Sequence, residues 1–91
     1  MLECAVKVKT FESVFVERVN DDEMFAINVA TGTFVSIDEI GKLIIKFIVE
    51  PHSISDIIRK IKEEYDCEYD ITNDIIEFIT KAIDEKFIER V

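Results

Sequence analysis

Three side chains in this sequence have the softness or nucleophilicity that metal binding and covalent chemistry need: Cys4, Cys67 and His52. A zinc site takes about four ligands at close spacing, and these three are scattered without a CxxC or a second histidine. Neither a structural metal nor a cofactor is expected. His52 stands in a turn beside Pro51 with no partner that would make it a general base. Paired carboxylates such as Glu63 and Glu64 read as the solvated face of a helix. Neither GxSxG, nor HExxH, nor a glycine-rich phosphate loop occurs. The sequence therefore predicts a protein that is not an enzyme. What remains is the chemistry of the backbone itself, at a strand edge with unused donors and acceptors.

That edge belongs to the stretch Met24 to Asp38. Phe25, Ile27 and Val29 alternate with Met24, Ala26 and Asn28, and Phe34 to Ile37 resume an extended pattern rich in β-formers. Between them Ala30-Thr31-Gly32-Thr33 reads as a hairpin loop, with Gly32 in the left-handed conformation that other residues resist. The hairpin runs directly into a helix, for which Asp38 is a good N-cap and Glu39 a favourable first-turn charge. A strand that hands over to a helix in this way, here Thr33 to Ile37, is an edge unless something pairs with it. Ser13 to Val19 supplies the third strand of an antiparallel meander, joined through the turn Asn20-Asp21-Asp22-Glu23. Its Glu17 and Arg18 discourage pairing at the opposite edge, part of which the N-terminal arm is expected to cover. Residues 1–12 hold a short alternating run, VKVKTF, assigned to that arm or to a stray strand.

From Asp38 the apolar spacing becomes helical, with Ile40, Leu43, Ile44, Phe47 and Ile48 on one side, until Pro51 ends the helix. Ser53 with Asp56 resembles a capping box in shorter-armed form for a second helix, one face of which is marked by Ile54, Ile57, Ile58, Ile61 and Tyr65. After a loop through Asp66-Cys67-Glu68-Tyr69, a third helix is predicted from about Ile71 to Lys86. It carries two apolar stripes, one through Ile71, Ile75, Phe78 and Ala82 and one through Ile76, Ile79 and Ile83. The tail Phe87 to Val91 reads as short and extended.

Ninety-one residues make one domain, which at this size buries roughly two thirds of its unfolded surface. No apolar run approaches the ~20 residues of a membrane span, and Glu3 stands where a signal peptide would be basic, so a cytoplasmic location is expected. With 20 acidic against 11 basic residues the net charge is −9. That balance repels phosphate backbones and disfavours nucleic acid as a partner.

The order strand, strand, strand, helix, helix, helix, taken with its motifs, resembles the PqqD-like family, the recognition elements of ribosomally made and post-translationally modified peptides. Asn28 with Thr31-Gly32 is similar to an N-x-x-T-G turn; Ile37-Asp38-Glu39 with Gly41 to L-N-E-x-G; and Ser53 to Ile57 to the capped start of the second helix. Glu64-Tyr65-Asp66 resembles the usual end of that helix, while Asp74-Ile75 and Phe78-Ile79 match D-V-x-x-F-L. The chain departs from the pattern at Ile45, where an aromatic is common, at Ala82, where leucine is usual, and at Lys86, where glycine normally ends the third helix.

The resemblance implies an α+β fold: a winged helix-turn-helix with a three-stranded antiparallel sheet followed by three α-helices, used for peptides. It implies that the leader segment of a precursor peptide adds a strand along Thr33, Phe34, Val35, Ser36 and Ile37. Apolar guest side chains would then reach a wall formed by Ile75, Ile76, Ile79 and Ile83, with Thr80 and Glu77 at its rim. The guest would pass to a separate maturation enzyme, such as a radical SAM enzyme, cyclase or protease. The competing expectation is a winged-helix DNA-binding or transcription-regulating domain. Its candidate recognition helix carries Asp74, Glu77, Asp84 and Glu85 against Lys81 and Lys86, and such a helix would push against the major groove.

Overall fold

A computed structural model describes residues 3–65 and 70–91. The predicted meander is present as β2 (Val14–Arg18), β3 (Met24–Asn28) and β4 (Thr33–Ser36), which follow β1 (Lys7–Thr10). β3 lies in the middle, antiparallel to both neighbours, with Phe15 opposite Ile27 and Ile27 opposite Phe34. Cross-strand partners share a face of the sheet. The face that carries Val16, Ala26 and Val35 turns toward the helices, and Met24, Ala26 and Asn28 on it are buried. The other face carries Phe15, Phe25, Ile27 and Phe34, with the Phe25 and Phe34 rings edge to face at 5.7 Å.

The helices are α1 (Glu39–Phe47), α2 (Ile54–Glu64) and α3 (Thr72–Asp84). Their starts follow the sequence signals. The Asp38 carboxylate accepts from the Gly41 N–H at 2.8 Å, and the Ser53 hydroxyl accepts from the Asp56 N–H at 3.1 Å. At the end of the loop before α3, the Asp70 carboxylate accepts from the Thr72 N–H at 2.9 Å, while the N-cap residue of the helix, Ile71, makes no side-chain cap. The rest of that loop, Asp66 to Tyr69 with Cys67, lies outside the described residues.

The single three-stranded sheet expected from the sequence is one of two among the described residues. β1 pairs antiparallel with β5 (His52–Ser53) on one side and with β6 (Ile88–Arg90) on the other. The N-terminal run is therefore the middle strand of a second sheet, and among the described residues it leaves β2 paired with β3 alone. β5 is too short to announce itself by alternation, and its partner lies far away in sequence, so local pattern carries no signal of the pairing. This second sheet closes one side of the core. Val8, Ile88 and Phe87 pack there with Ile44, Ile48, Ile54, Ile57, Ile61 and Ile79 in one apolar cluster. The hydroxyl of Thr10, itself buried, donates to the Ile45 carbonyl at 2.8 Å, so the end of β1 is tied to α1.

Candidate functional site: a strand edge beside an apolar groove

β4 pairs with β3 and has no strand on its other side among the described residues. The register says which groups that edge offers. The Ile37 N–H donates to the Met24 carbonyl at 2.9 Å, which makes Met24–Ile37 a hydrogen-bonded pair. Antiparallel pairs alternate, so Ala26–Val35 and Asn28–Thr33 are of the same kind, and the backbone groups of Phe34 and Ser36 point outward. Two residues therefore present free N–H and C=O groups, with Val35 between them. An edge of this kind is a template for a further strand.

Beside the edge runs a groove of about 110 Å³. Val35, Ser36 and Ile37 line it on the sheet side, Phe78, Lys81, Ala82 and Glu85 on the α3 side, and Ile45 and Phe87 at its floor. A second depression continues it past Phe34 toward Asp84, Glu85 and Lys86. The lining is apolar within and charged at the mouth. This is the composition of a site that takes apolar side chains from a backbone held at the rim.

Of the residues the sequence assigned to the site, Thr33, Phe34 and Ser36 are exposed on the edge, and Val35 and Ile37 are half-buried and turned to the groove. The α3 assignments are distributed differently. Ile75, Ile76 and Ile79 are buried in the core, Ile79 completely, and Ile83 is half-buried against it. Ile76 and Thr80, with Glu77, border a shallow depression along the outer flank of α3, and Ile75 lines another near Gly41 and Ile44. None of Ile75, Ile76, Ile79, Thr80 and Ile83 lines the groove beside β4. The apolar side chains that do, Phe78 and Ala82, belong to the other stripe and are joined by the charged Lys81 and Glu85. Two stripes a quarter-turn apart are visible in the sequence, but which one faces the sheet is set by the rotation of the helix in the core.

Both walls of the groove are held by a network around Asn28, which is 2% exposed. Its amide nitrogen donates to the Lys86 carbonyl at 2.6 Å, just beyond α3. Its Oδ1 accepts from the Ser13 hydroxyl at 2.7 Å and from the Ala30 N–H at 3.0 Å. The loop then closes through Gly32 at φ 72°. On the helix side, the Phe87 N–H donates to the Ala82 carbonyl at 2.9 Å and the Lys86 N–H to the Ile83 carbonyl at 3.1 Å. These are the two bonds of a Schellman motif, and Lys86 takes the left-handed conformation at φ 67°. Gly41 sets the third boundary. A Cβ there would stand 3.3 Å from the Phe78 ring and 3.1 Å from the Ile37 Cβ, so the glycine lets α1 approach the groove wall closely.

The side chains with chemical potential lie elsewhere. His52 stacks on Phe47 with ring centroids 4.0 Å apart, and its Nδ1 is 3.5 Å from the Asp56 carboxylate. Cys4 is exposed, and its carbonyl accepts from the Ser55 N–H and hydroxyl near the start of α2. Arg18, at the end of β2, pairs with Glu39 in the first turn of α1.

Comparison with known proteins bears on this geometry. A search of curated proteins found no match. Among solved structures, "TbiB1 in Complex with the TbiA(beta) Leader Peptide" shares the fold, with a TM-score of 0.69 and 24% identity over 89% of this chain and 94% of that one. The profile of the family described as Coenzyme PQQ synthesis protein D (PqqD) matches residues 23–88, which contain the β3–β4 hairpin, all three helices and every residue lining the groove. The chain belongs to the PqqD family.

Proposed function

We propose that this protein binds the leader segment of a ribosomally synthesised precursor peptide by strand addition to β4 and delivers it to a separate maturation enzyme, with no catalytic activity of its own. The observation that carries this reading is the coincidence of an unpaired edge at Phe34 and Ser36 with an apolar groove between β4 and α3. Backbone hydrogen bonds would supply affinity for any extended chain, and the groove would select among side chains. Membership of the PqqD family supports the reading, as does a fold shared with a protein whose solved structure holds a leader peptide.

In this reading the β2–β4 meander and the three helices act as a winged helix-turn-helix turned to peptides, working in the cytoplasm beside a radical SAM enzyme, a cyclase or a protease. The DNA-binding alternative gains nothing from the fold, because Asp74, Glu77, Asp84 and Glu85 are all exposed on α3 or at its end. The test is titration of a labelled leader peptide, taken from the precursor encoded beside this chain, into the purified protein. Saturable binding at one peptide per chain is expected. Absence of saturable binding to every such precursor would refute the function.

A further inference from the structure

The apolar side chains that line the groove are large except one. Val35, Ile37, Ile45, Phe78 and Phe87 surround a space of about 110 Å³, and Ala82 on the α3 wall ends at its Cβ. Ala82 is only 8% exposed, so its short side chain forms the inner part of the α3 wall while the exposed Lys81 and Glu85 form its outer part. A dry cavity of about 150 Å³ accommodates a benzene ring. The space here suits one aliphatic side chain, or an aromatic ring entering partway.

Register says which guest residue would enter. A strand added at the outward groups of Phe34 and Ser36 places one of its residues opposite Val35, and that residue points to the same face as Val35, into the groove. Its two neighbours point to the opposite face, beside Phe34. Taking the peptide-binding function above as given, we propose that Ala82 is a specificity-determining residue. It makes the groove a socket for one large apolar anchor, of the leucine, isoleucine or phenylalanine class, at the guest position opposite Val35. Leaders with a small or polar residue at that position are rejected, because they leave the socket empty or bury an unpaired group.

Selection of short random peptides displayed on phage, against the full chain and against Ala82→Leu, tests this whatever the sequence of the leader. Peptides enriched on the parent should share one position restricted to large apolar residues, and truncating that residue to alanine should weaken binding by roughly tenfold to a hundredfold. On Ala82→Leu the same position should shift to alanine, serine or valine while its flanks keep their preferences. Val35→Ala enlarges the same socket and should shift the position toward tryptophan, so the proposal stays testable if the leucine variant does not fold. Enriched peptides with the same preference on parent and variants would overturn the role of Ala82 and leave peptide binding intact. No enrichment on the parent would overturn both.

Discussion

The side-chain amide of Asn28 donates to the main-chain carbonyl of Lys86 at 2.6 Å, joining residues 58 positions apart in sequence. One end of this bond sits in the hairpin that presents β4, the other at the exit of α3, so a single buried side chain fixes the spacing of the two walls of the groove. Removing it strands the Lys86 carbonyl and the Ser13 hydroxyl. Asn28→Ala should lower stability by about 1–3 kcal/mol, the usual cost of a buried polar group left without its partner. Urea denaturation measures the loss, and an unchanged midpoint would show that the network holds nothing together.

Lys86 bears a conformational cost in its left-handed backbone, at φ 67°, for the sake of the turn into β6. A non-glycine residue there is disfavoured by roughly 1–2 kcal/mol, partly offset by the entropy a glycine loses on folding. Lys86→Gly should therefore raise the thermal midpoint by a few degrees, corresponding to up to about 1 kcal/mol. Gly32→Ala should act in the opposite sense. The space around Gly32 is empty, so the penalty comes from its φ of 72° and not from a clash.

Gly41→Ala probes the contact between α1 and the groove. The added methyl meets Ile37 at 3.1 Å and Phe78 at 3.3 Å, and relief requires one of these groove-lining side chains to move. Overpacking of this kind costs about 1–3 kcal/mol. A fluorescence titration should also show weaker peptide binding in the variant while its circular dichroism stays native. Loss of stability with binding unchanged would mean that Phe78 is not part of the peptide wall.

Two carboxylates link stability to acid. Burial pushes Asp56 up, but the Ser53 N–H outweighs it together with the His52 and Arg59 side chains, so its carboxyl titrates below the ordinary 3.8. Asp70 is held below the same value by the hydroxyl and N–H of Thr72. Both groups are depressed in the folded state, so their contribution is complete above 3.8 and disappears as pH falls through the lower folded values. Urea midpoints should be level from neutral pH down to about 5 and fall below about 4. Asp70→Asn should flatten part of that fall.

The parts of this fold that depend on neighbours in sequence were legible in the sequence. Asp38 and Ser53 cap α1 and α2, and Gly32 turns the hairpin. Which face of β3 is buried was not legible, since Met24, Ala26 and Asn28 face the helices although Phe25 and Ile27 are the more apolar set. The second sheet was not legible, because the partners of Lys7–Thr10, at His52–Ser53 and Ile88–Arg90, lie far away in sequence and local pattern does not register such pairing. The rotation of α3 was hidden too. Both of its stripes are apolar, and only packing turns Ile79 fully inward and leaves Phe78 and Ala82 beside β4. A charge at Ile79 would therefore unfold the chain before it could report on the groove. The role of Asn28 had a trace in the sequence, as the first residue of the N-x-x-T-G-like turn with Thr31 and Gly32.

The central claim, that a peptide adds to β4, is tested most directly by amide hydrogen exchange with and without bound leader peptide. The register predicts that the Phe34 and Ser36 N–H groups, which face outward in the free protein, become protected when the peptide binds. The Val16 and Arg18 N–H groups, outward on the opposite edge, should exchange as before. Ser36→Pro deletes one outward donor without removing a bond to β3, so it should abolish protection at Phe34 while the fold persists. Protection appearing at Val16 and Arg18 instead, with Phe34 and Ser36 unchanged, would contradict the account.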